Sequence, residues 1–136
     1  MATQVWPQKI QKVEFDVTTS EGPGRVTIVT GQLQVYLQAA SQGSQAVTKE
    51  SYMALLDPLS APGKFRKATA TASLGWQYTS GQPGELQCAI EDAQATLDDE
   101  TGQVRLVVDL MIAVTGANSN SIIYAVMFQV STLALV

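Results

Sequence analysis

Val104-Arg105-Leu106-Val107-Val108-Asp109-Leu110-Met111-Ile112-Ala113-Val114 decides how this chain is read. Every even position is aliphatic, whereas the odd positions mix Arg105 and Asp109 with Val107, Met111 and Ala113. Successive side chains of a strand point to opposite faces, so a period of two puts Val104, Leu106, Val108, Leu110, Ile112 and Val114 on one side of a sheet. Wound into a helix, the same residues would scatter around the whole circumference. The segment is a strand with one face in the core.

Toward the C-terminus, Gly116 to Ser121 has the Gly, Asn and Ser content of a turn and leads into a last strand, Ile122 to Val136. Its even face holds Ile122, Tyr124, Val126, Phe128 and Val130. Its odd face is also largely apolar, with Ile123, Ala125, Met127, Leu133 and Leu135. A strand of a small antiparallel sheet normally shows one face to water. The second apolar face therefore needs a cover, either segment 40–63 or another subunit. The expectation is a homo-oligomer with Ile123, Ala125, Met127, Leu133 and Leu135 at or beside the interface.

Toward the N-terminus, turns at 98–102, 80–84 and 20–24 separate further alternating runs. Leu86, Cys88 and Ile90 are even and Ala93, Ala95 and Leu97 odd, so the parity switches at Glu91-Asp92. Between Arg25 and Ala39 it switches around Gly31. A shift of one residue turns every side chain over, which predicts a bulge or bend at both places. From Lys64 to Thr79, Ala68, Ala70, Ala72, Leu74, Trp76 and Tyr78 share one face, expected in the core. Residues 40–63 break the alternation. Tyr52, Leu55, Leu56 and Leu59 have helical spacing, Thr48 stands at the start and Pro58 at the end, predicting a short helix over 49–57.

The expected fold is all-β: an antiparallel β-sandwich, jelly-roll-like or meander, of about six long strands. The order is a hairpin and then a four-strand meander, with one short helix in the crossover; a β-barrel is the alternative. A length of 136 residues with 46% apolar and 15% charged residues suits a single domain, 1–136.

Composition excludes more than it identifies. The chain has no histidine, which removes Ser–His and Cys–His catalysis and imidazole metal ligands together. A net charge of −4 gives no footprint for nucleic acid. No apolar run approaches the roughly 18 residues of a membrane span. The one cysteine cannot form an internal disulfide, and the start of the chain lacks the basic and apolar regions of a secretory signal. Both favour the cytoplasm, although export by a signal-less route gives the same composition. Charge is uneven: seven basic against five acidic residues lie in 1–67, and Arg105 alone against seven acids in 68–136. Between chains, such a split favours association.

Four groups of residues have chemistry to offer. Asp98, Asp99 and Glu100 put three hard oxygen donors in one turn, a candidate calcium site, but without the spacing of an EF-hand loop. Glu91 and Asp92 form a carboxylate pair, yet neighbours on a strand point apart and cannot easily share a glycoside. Cys88 sits in an apolar run with no base to activate it. Trp6, Trp76 and Tyr78, with Gln77 as polar partner, are a candidate sugar platform, set against core packing of Trp76 and Tyr78. No cofactor is implied. The expected function is a non-enzymatic structural or assembly protein acting through self-association or a protein partner. The alternative is a small lectin-like, glycan-binding sandwich.

Overall fold

A computed structural model describes residues 2–57, 63–98 and 100–136. The fold is all-β: β1 (Thr3–Gln4), β2 (Pro7–Thr19), β3 (Gly22–Leu55), β4 (Phe65–Ser80), β5 (Leu86–Asp98) and β6 (Gln103–Leu135). The two longest strands, β3 and β6, have 34 and 33 residues and pair antiparallel along their whole length. The hairpin partner β2 flanks the first part of β3, and β1 adds parallel to its last part. On the other side of the pair, β5 flanks the first part of β6 and β4 its second part.

The long pair folds back on itself. The Tyr52 hydroxyl lies 2.8 Å from the Tyr36 carbonyl oxygen, sixteen residues earlier on the same strand. A straight strand of that length would hold them about 50 Å apart. The reversal falls where the β3–β6 register is broken, at Ser41–Ala46 opposite Val114–Ser119. Gly43 (φ 144°), Gly116 (φ 114°) and Asn118 (φ 52°) adopt positive φ there, and the Ser41 hydroxyl accepts from the Gly43 N–H at 3.1 Å. Each half is a four-strand layer. One half holds β2, the first part of β3, the second part of β6 and β4; the other holds β1, the rest of β3 and β6, and β5.

The core lies between the halves. Leu33, Leu37, Val126 and Val130 from the first meet Tyr52, Ala54 and the row Val104 to Val114 from the second in one buried cluster. Val104, Leu106, Val108, Leu110, Ile112 and Val114 all belong to it, as their alternation requires.

Several expectations need correction. Residues 49–55 belong to β3 and form no helix; Tyr52 and Leu56 are core residues, while Pro58 and Leu59 lie outside the described residues. Their helical spacing is overridden by pairing with β6, where Tyr52 opposes Val108. The turn expected at 116–121 is a bend inside the continuous β6. The order is not a meander, because β4 and β5 both pair with β6 and not with each other. Gly31 is a regular ladder position opposite Phe128, and odd residues face the core on both sides of it. The break lies in its neighbour β2, between Gln8 and Gln11. The switch at Glu91 is present as a register shift between Ile90 and Asp92. The charge split does not divide the surface: β3 and β6 interleave throughout, and Lys49 pairs with Glu91 at 3.5 Å.

Candidate aromatic binding face

Rows of paired residues organise the outer face of the first half. Phe15, Val26, Leu133 and Lys67 make one row, and Val13, Ile28, Ser131 and Thr69 the next. Then come Gln11, Thr30, Gln129 and Thr71, followed by Gln8, Gln32, Met127 and Ser73. Gln34, Ala125 and Trp76 follow, and nearest the bend lie Gln38, Ile122 and Tyr78. The face is apolar at one end, amide- and hydroxyl-rich in the middle and aromatic at the other end.

The aromatic end is built by three adjacent irregularities. The β3 register skips between Gln34 and Leu37, the β4 register between Leu74 and Trp76, and β6 carries an unmatched Tyr124 between Ile123 and Ala125. The β4 and β6 shifts reverse which of their side chains face out, while β3 keeps its odd residues inward from Gly31 to Ser41. Ala68, Ala70 and Ala72 therefore look inward while Trp76 and Tyr78 look outward, at 63% and 52% exposure. The expected core role of these two aromatics is overturned. Tyr36, 56% exposed, meets Tyr124 edge-on with ring centroids 5.7 Å apart, and Tyr124 meets Trp76 at 4.9 Å and 33°. Three strands thus supply one continuous aromatic surface, Tyr36–Tyr124–Trp76.

Beside it lies an open groove of about 700 Å³, lined by this trio, Gln32, Gln34, Lys9, Thr3, Glu50 and Tyr52 among others. The Gln8 amide donates to the Gln34 carbonyl oxygen at 3.1 Å, which fixes the Gln34 amide and leaves its own N–H donors free. Glu50 accepts from the Thr3 hydroxyl at 2.7 Å and lies 2.7 Å from the Tyr52 hydroxyl. Burial, reinforced by the Glu50 carboxylate, pushes the Tyr52 phenol well above the ordinary tyrosine range. A second groove of about 630 Å³ continues over the Gln and Thr rows, lined by Gln11, Thr30, Thr71, Met127 and Gln129. Lys9 lines both grooves and holds a left-handed backbone (φ 53°) at the β2 break. Strain of this kind persists only where surrounding structure imposes it.

The sequence-derived candidates separate. Gln77 faces the other way, donating to the hydroxyls of Ser121 (2.9 Å) and Thr79 behind the platform. Trp6 is 71% exposed but lines neither groove. Tyr36, Tyr124, Lys9 and Glu50 were not expected at this site. The signal was Gly75, a glycine inside a strand, which marks a bulge. Of the expected interface residues, Ile123 is in the core and Ala125 is buried in the Trp76 row. Met127 is 43% exposed, and Leu133 and Leu135 are half-buried on the outer face. The bulge at Tyr124 explains this, since it sends Ile123 inward and Met127, Leu133 and Leu135 outward.

Among the described residues no three His, Cys, Asp or Glu side chains come together to hold a metal. Asp98 accepts the Glu100 N–H at 3.0 Å and caps its hairpin, and hydrogen bonds from Thr101 and Glu100 hold its carboxyl below the usual range; Asp99 lies outside the described residues. Asp92 stands directly opposite Asp109, whose carboxylate accepts from the Ser51 hydroxyl at 2.5 Å. Cys88 is half-buried with its sulfur 3.7 Å from the Ser121 hydroxyl. No helix of the described residues is long and apolar enough to cross a membrane. No family model, no curated protein and no solved structure matches the chain.

Proposed function

We propose that the chain is a non-enzymatic binding domain that holds an uncharged saccharide on the Tyr36–Tyr124–Trp76 surface and the adjoining amide rows. One observation carries the reading: the exposed Tyr36 and Trp76, with the half-buried Tyr124 between them, open onto a groove that also bears Gln32, Gln34 and Thr3, and an adjoining groove bears Gln11, Thr30, Thr71, Ser73 and Gln129. A pyranose ring has an apolar C–H face and a rim of hydroxyls. The rings supply a flat apolar contact for the first, and glutamine amides donate and accept for the second. Lys9 and Glu50 are the charged residues that line the first groove, one of each sign, so no net charge selects an ionic ligand. The grooves are open, which suits weak binding of about −4 to −8 kcal/mol, the millimolar to micromolar range. An array of neutral and anionic oligosaccharides tests the reading. Binding confined to neutral glycans and lost in Trp76→Ala supports it; no binding to any glycan refutes it.

Self-association, the function expected first from the sequence, is favoured by a separate observation. Val13, Phe15, Val26, Ile28, Leu133 and Leu135 gather at the apolar end of the same face, with Val13 and Phe15 largely exposed. Apolar area left in water at one place is where a partner gains most.

A further inference from the structure

The edge of β2 carries a more specific inference, which rests on the self-association reading and not on the saccharide one. Among the described residues β2 pairs with β3 alone, so its other edge is unpaired. The direction of its backbone groups follows from the neighbouring ladder. The Val136 N–H donates to the Pro23 carbonyl at 3.2 Å, so odd residues of β3 point their backbone groups toward β6. In an antiparallel ladder the pattern alternates, and even residues such as Ile28 and Val26 bond to β2. Their partners Val13 and Phe15 are thereby satisfied, and Lys12, Glu14 and Asp16 turn their N–H and C=O groups outward.

An unpaired edge of this kind is a template for another strand. For a second copy related by a two-fold axis, the side chains choose the register. Centred on Lys12 the pairing sets lysine against lysine, and centred on Glu14 it opposes Lys12 to Asp16 but sets glutamate against glutamate at its centre, whereas a register centred on Val13 opposes no like charges. Centred on Phe15 it opposes Glu14 to Asp16. Centred on Val13, it sets Lys12 opposite Glu14 of the partner subunit twice over. There the outward-turned groups of 12 and 14 meet as hydrogen-bonded pairs, and the exposed Val13 lies against its own copy. Opposed residues share a face in this register, as an extended sheet requires.

We propose that this protein forms a two-fold dimer by antiparallel pairing of β2 with β2 of a second copy, in the register that opposes Lys12 to Glu14. Backbone hydrogen bonds supply the attraction, and the exposed charges exclude other registers more than they add affinity. The sheet then runs continuously from one copy into the next, and the two saccharide faces lie on the same side of it.

The test is the oligomeric state of the full chain, by light scattering and sedimentation over a micromolar to submillimolar series. The wild type is expected to be a dimer at the upper concentrations. K12E and E14K each place like charges in register and are expected to be monomers. The double variant K12E/E14K restores opposite charges and is expected to dimerise again. E14P removes an outward N–H without touching the β2–β3 ladder and is expected to be monomeric with an unchanged circular dichroism spectrum. A wild type that stays monomeric, a dimer indifferent to K12E, E14K and E14P, or a double variant that fails to recover overturns the proposal. Glycan binding by a monomeric wild type would leave the saccharide reading standing.

Discussion

Alanine at Gly31 would put a methyl carbon into the ring of Phe128. A Cβ built there lies 2.8 Å from both Cε2 and Cζ of that ring and 3.0 Å from the Gln8 carbonyl oxygen, so it is closed in on two sides. Ordinary contact begins at 3.4 Å, so the ring must retreat by about 0.6 Å. Phe128 is buried with Leu33, Val126 and Val130, so moving its ring disturbs close-packed neighbours. Overpacking of this kind costs about 1–3 kcal/mol. Working against it, alanine restricts the unfolded chain and returns about 0.4–1 kcal/mol. The net expectation for Gly31→Ala is a loss of about 1–2 kcal/mol. With a urea slope of about 1–3 kcal/mol per molar, the denaturation midpoint should fall by roughly 0.5–1 M. The same change in a Phe128→Leu background, where the ring edge is gone, should cost little. The cycle should therefore show about 1–2 kcal/mol of coupling. If Gly31→Ala raises the midpoint in the wild-type background, Gly31 does not face that ring and the inward assignment of the odd β3 residues fails.

Two further outcomes follow from the core. Leu110→Ala removes a fully buried side chain from the cleanest row of the sheet and should cost about 2–5 kcal/mol in urea or thermal unfolding; an unchanged midpoint would show the row misplaced. Tyr52 has a folded-state pKa above the ordinary value near 10, so its contribution to stability is complete below that pH and is lost as pH rises toward the folded value. The thermal midpoint should decline above about pH 10, and Tyr52→Phe should flatten that decline while costing about 0.5–1.5 kcal/mol at neutral pH from lost hydrogen bonds. An identical alkaline decline in the variant would assign it to other groups.

Strand period and core were legible because burial on one face imposes a strict alternation, as at Val104 to Val114. The exceptions were harder. Tyr52, Leu55 and Leu56 fit a helix by spacing alone, and only pairing with Arg105–Val108 decides for a strand. Gly31 and Gly75 are both glycines inside strands, but one answers to a ring across the ladder and the other sits at a bulge. Nothing local distinguishes them. The platform stayed hidden for the same reason: Trp76 and Tyr78 continue an apolar parity that a single extra residue reverses. Tyr36 and Tyr124 lie 88 residues apart in number and meet only through the β3–β6 register. The bend was read as a turn, since its Gly and Asn have turn composition and the pairing that carries the strand through is entirely long-range.

The chain contains a simple reporter for the binding of a neutral saccharide by Trp76 and its two tyrosines. It has two tryptophans, so in Trp6→Phe the indole fluorescence comes from Trp76 alone. Titrating this variant with neutral gluco-, manno- and xylo-oligosaccharides should give a saturable change in emission for at least one of them. The change should be weakened at least tenfold by Tyr36→Ala and left intact by Gln77→Ala, about 1.4 kcal/mol being expected for one lost stacking contact. Emission that stays flat with every saccharide, or a response that depends on Gln77 and not on Tyr36, would show that the aromatic trio does not hold a saccharide.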